Sequence, residues 1–430
     1  MDVAIIGAGA SGLIFGDIMS KAGYSVTIFE HKEQLGGVWN MTTDKPPPPF
    51  GETNTQDNVE RLARKVSPMY ESLCTNLPGA VMQIPGVSMD SPGSHTTRYF
   101  TRMEVDAYLT AYGQRVKSLI RFGRKVVRLS PSTDETTSAP KWQLTFQDGS
   151  VHAASRVVVA NGHYAVPQCP EILQGSPICH HSIFYNDPCW YDGKRVLVVG
   201  GGPSGRDLVA ELAKRRSDDD VVHWVCEEEL HLLENVRCYP RIVAAHGNSV
   251  TFTDETVLEV DVILCATGYR YEFPFLEGVL PNLLCCDGRV VMRLYRHLIH
   301  LDHPSLAFAV IPFKIAPFPV AYAQAHFLTH SWKLSLTPQL VDRWRDEYDV
   351  EQSAMNVEGI ALKYRHRLGN RQWDYMNRLL HDSQQPLLPP VVRRLYDLGA
   401  GLQKEWPLGE YKHAVFEIDG EDIKIRRNQS

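Results

Sequence analysis

Two glycine-rich runs carry the most specific chemistry in the chain. Gly7-Ala8-Gly9-Ala10-Ser11-Gly12 and Gly200-Gly201-Gly202-Pro203-Ser204-Gly205 both fit G-x-G-x-x-G. That spacing lets main-chain N–H groups close on a pyrophosphate. In the first run Gly7 permits a tight turn and Gly9, without a Cβ, permits close approach of a phosphate. Gly12 lets a helix pack against a strand, Ser11 is assigned with the loop to the nucleotide, and the helix N-terminus supplies free N–H groups. In the second run Gly200, Gly202 and Gly205 take the same places, with Pro203 and Ser204 assigned to the nucleotide bound there.

The flanking sequence supplies the elements these loops need. Before the first run, Asp2–Ile6 is an apolar stretch that reads as a buried strand. Residues 13–22 read as a helix, Gly23 as a turn, and Ser25–Phe29 as a second strand ending on Glu30. An acid there can accept hydrogen bonds from an adenosine ribose. Around the second run, residues 195–199 form a strand, a helix runs from 206 to about 216, and residues 221–225 form the next strand. Two such units imply two dinucleotides, or one used twice. Gly36-Gly37-Val38-Trp39 follows Glu30, and its glycines and indole suit a large ring system, hence a flavin nucleotide. Lys32 and Val127 are assigned to the same nucleotide. A flavin in the first unit implies a nicotinamide cofactor in the second, and so a flavin-dependent oxidoreductase.

Bulk properties narrow the class. The chain has 430 residues, 43% hydrophobic and 22% charged, which suits a globular protein of two or three domains. A net charge of −6 argues against a nucleic-acid surface. The nine cysteines include no C-x-x-C, and Cys285-Cys286 are adjacent, so spacing indicates neither a metal site nor a dithiol redox site. Their odd number suits a reducing compartment. The first strand begins at residue 2, leaving no secretory signal ahead of it, and no apolar run approaches about 18 residues. The expected location is the cytoplasm. The oligomeric state stays open, a homodimer included.

Tyr70-Glu71-Ser72-Leu73-Cys74-Thr75-Asn76-Leu77-Pro78, followed by Met82, resembles a signature of the flavin-containing monooxygenases, which oxygenate soft nitrogen and sulfur atoms. On its residues alone Asn76 also reads as a turn residue before Leu-Pro. The resemblance implies instead that it sits beside the reactive flavin carbon. An amide offers both donor and acceptor there, and so can hold a peroxide without protonating it. Asn161-Gly162-His163-Tyr164, Ala266-Thr267-Gly268-Tyr269 and Phe273-Pro274-Phe275-Leu276 are similar to stretches of the same family. Thr267 and Gly268 are accordingly assigned to the nicotinamide site. Residues 294–297, 307–319 and 363–369 also have family counterparts, and Gln324 is expected to begin a helix facing the flavin. The likeness spans roughly residues 2–380.

The implied fold is α/β with two Rossmann-like dinucleotide-binding domains in a glutathione-reductase-like arrangement. The FAD domain is expected at 1–165 and 271–430, the latter with a helical C-terminal region, and the inserted nicotinamide domain at 166–270. The implied reaction uses NAD(P)H and dioxygen. Reduced FAD forms a C4a-hydroperoxyflavin, which oxygenates the nitrogen or sulfur of a small amine or sulfide, with Asn76 as the catalytic residue. Two departures matter. Glu227, in Cys226-Glu227-Glu228-Glu229, stands where NADPH-using relatives usually carry Arg, so NADPH is expected with NADH left open. Residues 173–185 match F-x-G-x-x-x-H-S only in part: Leu173 replaces the Phe and His181-Ser182 comes two residues late, so His181 reads as a surface residue. An NAD(P)H oxidase releasing hydrogen peroxide and a Baeyer–Villiger-type monooxygenase remain alternatives. A nucleotide-binding or redox-sensing protein without a substrate is a third.

Overall fold

The computed structural model describes residues 1–41, 45, 56–91, 93–132, 142–226 and 230–427. The fully apolar strands predicted from sequence fall into two separate parallel sheets. Asp2–Ile6 lies in a seven-stranded sheet, paired in parallel with Ser25–Phe29 on one side and Arg156–Val159 on the other. Ile120–Arg121 and Leu306–Phe308 extend it in parallel, and a hairpin of Leu294–Tyr295 and Ile299–His300 closes one edge. The second sheet has five parallel strands, in the order Cys179–His181, Val262–Cys265, Val196–Val199, Val222–Val225 and Val236–Tyr239. Strands covered on both faces need no polar alternation, which is why residues 3–6 and 157–159, Val196–Val199 and Val262–Cys265 are unbroken apolar runs.

Each glycine run ends a strand and starts a helix, Ala10–Lys21 in the first sheet and Pro203–Lys214 in the second. Both helices begin three residues earlier than the apolar spacing predicts, because the glycine loop itself is the N-cap. Leu13, Ile14, Phe15 and Met19 bury the first helix against its sheet, with Pro317–Lys333 packed alongside. The other face of that sheet is covered by an antiparallel sheet of Val126–Pro131, Trp142–Phe146 and Val151–Ala154. Residues 120–129 read from sequence as one strand, but the structure divides them between Ile120–Arg121 and Val126–Pro131. Gly123, at φ 64°, turns the chain from one sheet into the other.

The chain crosses between the two sheets twice, and the crossings lie side by side: Val166–Pro167 pairs antiparallel with Tyr269–Arg270. Two further expectations give way. Residues 42–66, which are polar and carry Pro46 to Pro49, read from sequence as a loop, but Gln56–Ala63 is a helix, while 42–44 and 46–55 lie outside the described residues. The stretch from Tyr411 reads as a loose tail but forms a hairpin, Ala414–Asp419 with Asp422–Arg427, which pairs with Thr96–Arg98. It docks because Ala414 and Phe416 are fully buried against the core of the first sheet.

Candidate active site

The first glycine loop is built by exclusion of side chains. A Cβ on Gly7 would lie 2.5 Å from Ala160 O, and one on Gly12 would lie 1.9 Å from Gly7 O. The Gly36-Gly37 turn presses on the same loop. Gly36 N–H donates to Ala8 O at 3.0 Å, and a Cβ on Gly37 would stand 2.9 Å from Gly9 Cα. Gly9 caps the helix without any side-chain hydrogen bond, so the N–H groups of its first turn, Ser11 included, are left for an anion.

Glu30 organises this end of the site. Its buried carboxylate accepts from Ala8 N–H at 2.7 Å and Lys32 N–H at 2.9 Å, with His31 Nδ1 at 2.9 Å. Burial pushes the carboxyl up, but the hydrogen bonds from His31, Lys32 and Ala8 more than offset it, and the group titrates below the usual Glu range. Two oxygens carry about four lone-pair sites, so acceptor capacity remains for ribose hydroxyls. Lys32 contributes its main chain here, with its carbonyl accepting from Gly123 N–H at 3.2 Å. Val127 is 45% exposed, three residues past Arg124, whose N–H reaches Glu30 O at 2.8 Å.

Beside Trp39 the structure adds two residues that sequence reading missed. Arg102 Nη1 donates to Trp39 O at 3.1 Å. Its Nε, and Oδ1 of Asp106 one turn later, are buried with no hydrogen-bond partner among the described residues. Val38 O accepts from Ser67 Oγ. A buried donor and acceptor left unpaired against a glycine turn fit a bound nucleotide rich in hydroxyls and amide-like edges. Their i, i+4 spacing on the helix Arg102–Gly113 is the sequence signal that could have found them.

Asn76 lies on a loop held from several directions. Thr75 pairs with Phe100, its N–H donating to Phe100 O at 2.8 Å and its Oγ1 accepting from Phe100 N–H at 3.0 Å. Gln403 Nε2 donates to Asn76 O at 3.0 Å, and Lys412 Nζ donates to Cys74 O at 2.7 Å. Both partners also reach the second nucleotide unit. Lys412 pairs with Asp207 at 2.7 Å, and Arg206 Nη1 donates to Gln403 Oε1 at 3.5 Å. Arg206 and Asp207 lie in the first turns of the helix Pro203–Lys214, so the C-terminal segment ties the Asn76 loop to the second glycine run. The Asn76 side-chain amide makes no hydrogen bond among the described residues.

The second loop repeats the first. A Cβ on Gly200 would lie 2.4 Å from Ala266 O, and one on Gly205 would lie 1.9 Å from Gly200 O. Around Gly202 a Cβ would meet nothing within 4 Å, so space stands open before a helix that has no side-chain cap. Pro203 opens the helix with its ring where an N–H would be unpaired anyway. Ser204 follows in the first turn. Thr267 Oγ1 donates to Gln168 O, and Gly268 O accepts from Gln168 N–H at 2.9 Å, which binds the return crossing to the outgoing one. Glu227 lies outside the described residues.

Two predicted positions differ from expectation. Gln324 does not begin a helix; it sits fully buried in the middle of Pro317–Lys333. Its Oε1 accepts from Val310 N–H at 2.8 Å, and its Nε2 donates to Tyr375 OH at 2.7 Å. It thereby holds Val310 at a positive φ of 55°. His181 is not a surface residue but 1% exposed. Its Nε2 lies 3.0 Å from Gly268 O and its Nδ1 accepts from Ile183 N–H at 3.1 Å, so both ring nitrogens are engaged.

Comparison with known proteins agrees with this arrangement. The family model for flavin-binding monooxygenase-like proteins matches residues 1–223 and 221–342. Flavin-containing monooxygenase FMO GS-OX-like 4 of Arabidopsis thaliana is 30% identical over 397 residues, 87% of this chain and 85% of the relative. Among solved structures, S-allyl-L-cysteine S-oxygenase from Allium sativum superposes with a TM-score of 0.80 at 28% identity, covering 96% of this chain and 94% of that one. Tmm from Pelagibacter sp. strain HTCC7211, at 20% identity, shares the fold with a TM-score of 0.76 over 98% of this chain and 96% of its own. Two Rossmann-like units and this family imply the use of a flavin and an NADPH-type nucleotide. The chain belongs to the flavin-binding monooxygenase-like family and is a flavin-dependent monooxygenase.

Proposed function

We propose that this enzyme uses FAD, NADPH and dioxygen to place one oxygen atom on a soft heteroatom of a small molecule, with a thioether sulfur as the first substrate class. The observation that carries the reading is the Asn76 loop. Its amide makes no hydrogen bond among the described residues, while its backbone is tied through Gln403 and Lys412 to the helix that opens the second nucleotide site. The 28% identity to an S-oxygenase supports sulfur ahead of nitrogen.

The seven-stranded sheet is the FAD domain and the five-stranded sheet the nicotinamide domain. The N-termini of Ala10–Lys21 and Pro203–Lys214 bind the two diphosphates, and Glu30 takes the adenosine ribose of FAD. Arg102 Nε and Asp106 Oδ1 meet the flavin nucleotide beside Trp39. Bound FAD supplies the electron transfer and oxygen activation that no side chain here provides. Asn76 orients the activated oxygen with its amide, donating or accepting without giving up a proton near neutral pH. Gln324 acts at one remove, by fixing the Val310 main chain. With no helix of the described residues long and apolar enough to cross a membrane, a cytoplasmic location is the reading adopted.

The Baeyer–Villiger alternative calls for a better-formed F-x-G-x-x-x-H motif with a nearby Arg; here Leu173 replaces the Phe and His181 comes two residues late, which counts against it. The test is turnover of an S-alkyl cysteine, a tertiary amine and a cyclic ketone with NADPH under air, each product read by mass spectrometry. A sulfoxide formed in step with NADPH oxidation supports the proposal. A lactone from the ketone, or hydrogen peroxide alone with all three compounds, overturns it.

A further inference from the structure

Three cysteines that are far apart in sequence meet where the chain crosses between the two sheets. The sulfurs of Cys169, Cys179 and Cys265 all lie within 4.8 Å of one another, and Cys179 Sγ is 3.4 Å from Cys265 Sγ. We propose that they form a binding site for a soft, thiophilic, three-coordinate metal ion, with copper(I) as the biological case. The site is independent of the flavin chemistry and of the substrate.

The spacing is that of a metal site. A metal at about 2.3 Å from each of three sulfurs in a plane sets them about 4 Å apart, within the range seen here. A direct disulfide between Cys179 and Cys265 fits poorly. In the parallel ladder Cys179 faces Ile263, and Cys265 faces His181, so the two cysteines are offset by two residues. With strands about 4.8 Å apart and a rise of about 3.3 Å per residue, their Cα atoms are about 8 Å apart. A disulfide tolerates about 7 Å at most. An atom between the sulfurs closes that gap without moving the strands.

The surroundings favour a low-coordinate ion. Cys179 and Cys265 are buried, and Cys169 is half-buried in the wall of a cavity also lined by Leu173, Cys179, His181 and Phe184, which gives an entry path. His181 has both nitrogens committed and offers no fourth ligand, and His180, which also lines the cavity, has no ring nitrogen within the 4.8 Å cluster that the three sulfurs form. Zinc requires four donors, whereas copper(I) is satisfied by three thiolate sulfurs. Metal binding would release the thiol protons to solvent.

The location gives binding a consequence. Cys169 follows Gln168, which is bonded to Thr267 and Gly268, and Cys265 ends the strand that leads into Ala266-Thr267-Gly268. An ion shared by all three sulfurs would therefore staple the outgoing and returning crossings together.

The test is an anaerobic titration of the reduced, FAD-loaded full chain with copper(I), in competition with bicinchoninate. Cys285 and Cys286 are the obvious rival ligands, so Cys285→Ser/Cys286→Ser is the control. One tight equivalent is expected in the wild type and in the control. In Cys169→Ser, the least buried of the three, affinity should fall by about 100-fold or more, while FAD content and NADPH oxidation stay unchanged. Cys169→Ala repeats the measurement should the serine variant misfold. X-ray absorption of the copper-loaded control should show three sulfurs. Equal affinity in the control and in the Cys169 variants overturns the proposal. So does a four-coordinate zinc bound in preference to copper(I), or the loss of two titratable thiols to a disulfide.

Discussion

Replacing Lys412 with Met should uncouple the enzyme before it unfolds it. The Lys412 ammonium lies 2.7 Å from Asp207 Oδ2 and 2.7 Å from Cys74 O. Its side chain is 15% exposed and that of Asp207 10%. Methionine keeps the stem and removes the charge, leaving Asp207 with Tyr70 OH at 3.3 Å. Breaking one side of a fully buried ion pair costs about 3–5 kcal/mol. With some solvent reaching both groups, about 2–3 kcal/mol is expected here. Unfolding entropy of about 2.1 cal/mol/K per residue then gives a fall in Tm of about 3 °C for a chain this long. Catalysis should change more, because the same ammonium fixes the carbonyl two residues before Asn76. The assay follows NADPH, sulfoxide and hydrogen peroxide together. NADPH oxidation should persist while sulfoxide per NADPH falls several-fold and peroxide rises. Lys412→Met/Asp207→Asn should recover the stability without the coupling. Unchanged Tm and unchanged coupling in Lys412→Met would refute the reasoning.

Three further outcomes are expected. Gly205→Ala places a methyl 1.9 Å from Gly200 O, so it should abolish NADPH binding in a titration while the purified protein keeps its FAD. Glu227→Gln tests the reading from sequence that this carboxylate opposes a 2′-phosphate; the ratio of kcat/KM for NADPH over NADH should rise about tenfold, and no change would place the 2′-phosphate elsewhere. Burial holds the His297 imidazole down to about 4, against an unfolded value near 6.5, so the unfolded chain takes up the proton first as pH falls. Stability from this group is complete above about pH 6.5 and is lost towards pH 4, amounting to about 2 kcal/mol by pH 5. Thermal melts between pH 7 and pH 5 should show a smaller acid-side decline in His297→Gln, and equal declines would rule the residue out as a source.

What could be read from sequence is what is local. The strands Asp2–Ile6, Val196–Val199 and Val262–Cys265 announce themselves by apolar runs, and the glycine spacings by steric necessity. The helix starts were missed by three residues because helical periodicity becomes visible only after the first turn, whereas the glycine loop caps the helix before it. Gln324 was misplaced because the turns before it, opened by Pro317 and Pro319, look like loop. The hairpin at 414–427 needs Thr96–Arg98 as its third strand, more than 300 residues away, and nothing local signals that pairing. The same holds for Lys412 with Asp207 and for the three cysteines, where charge or thiol chemistry is plain in sequence but the partner is set only by the crossing of two sheets.

The central claim is that this chain couples nucleotide oxidation to oxygen transfer. The most direct measurement is turnover of an S-alkyl cysteine with NADPH under ¹⁸O₂, comparing the wild type with Asn76→Ala. Wild type should yield a sulfoxide carrying a single ¹⁸O for nearly every NADPH consumed, and Asn76→Ala should consume NADPH while releasing hydrogen peroxide. Sulfoxide lacking the label, or the same labelled yield from Asn76→Ala, would contradict the account.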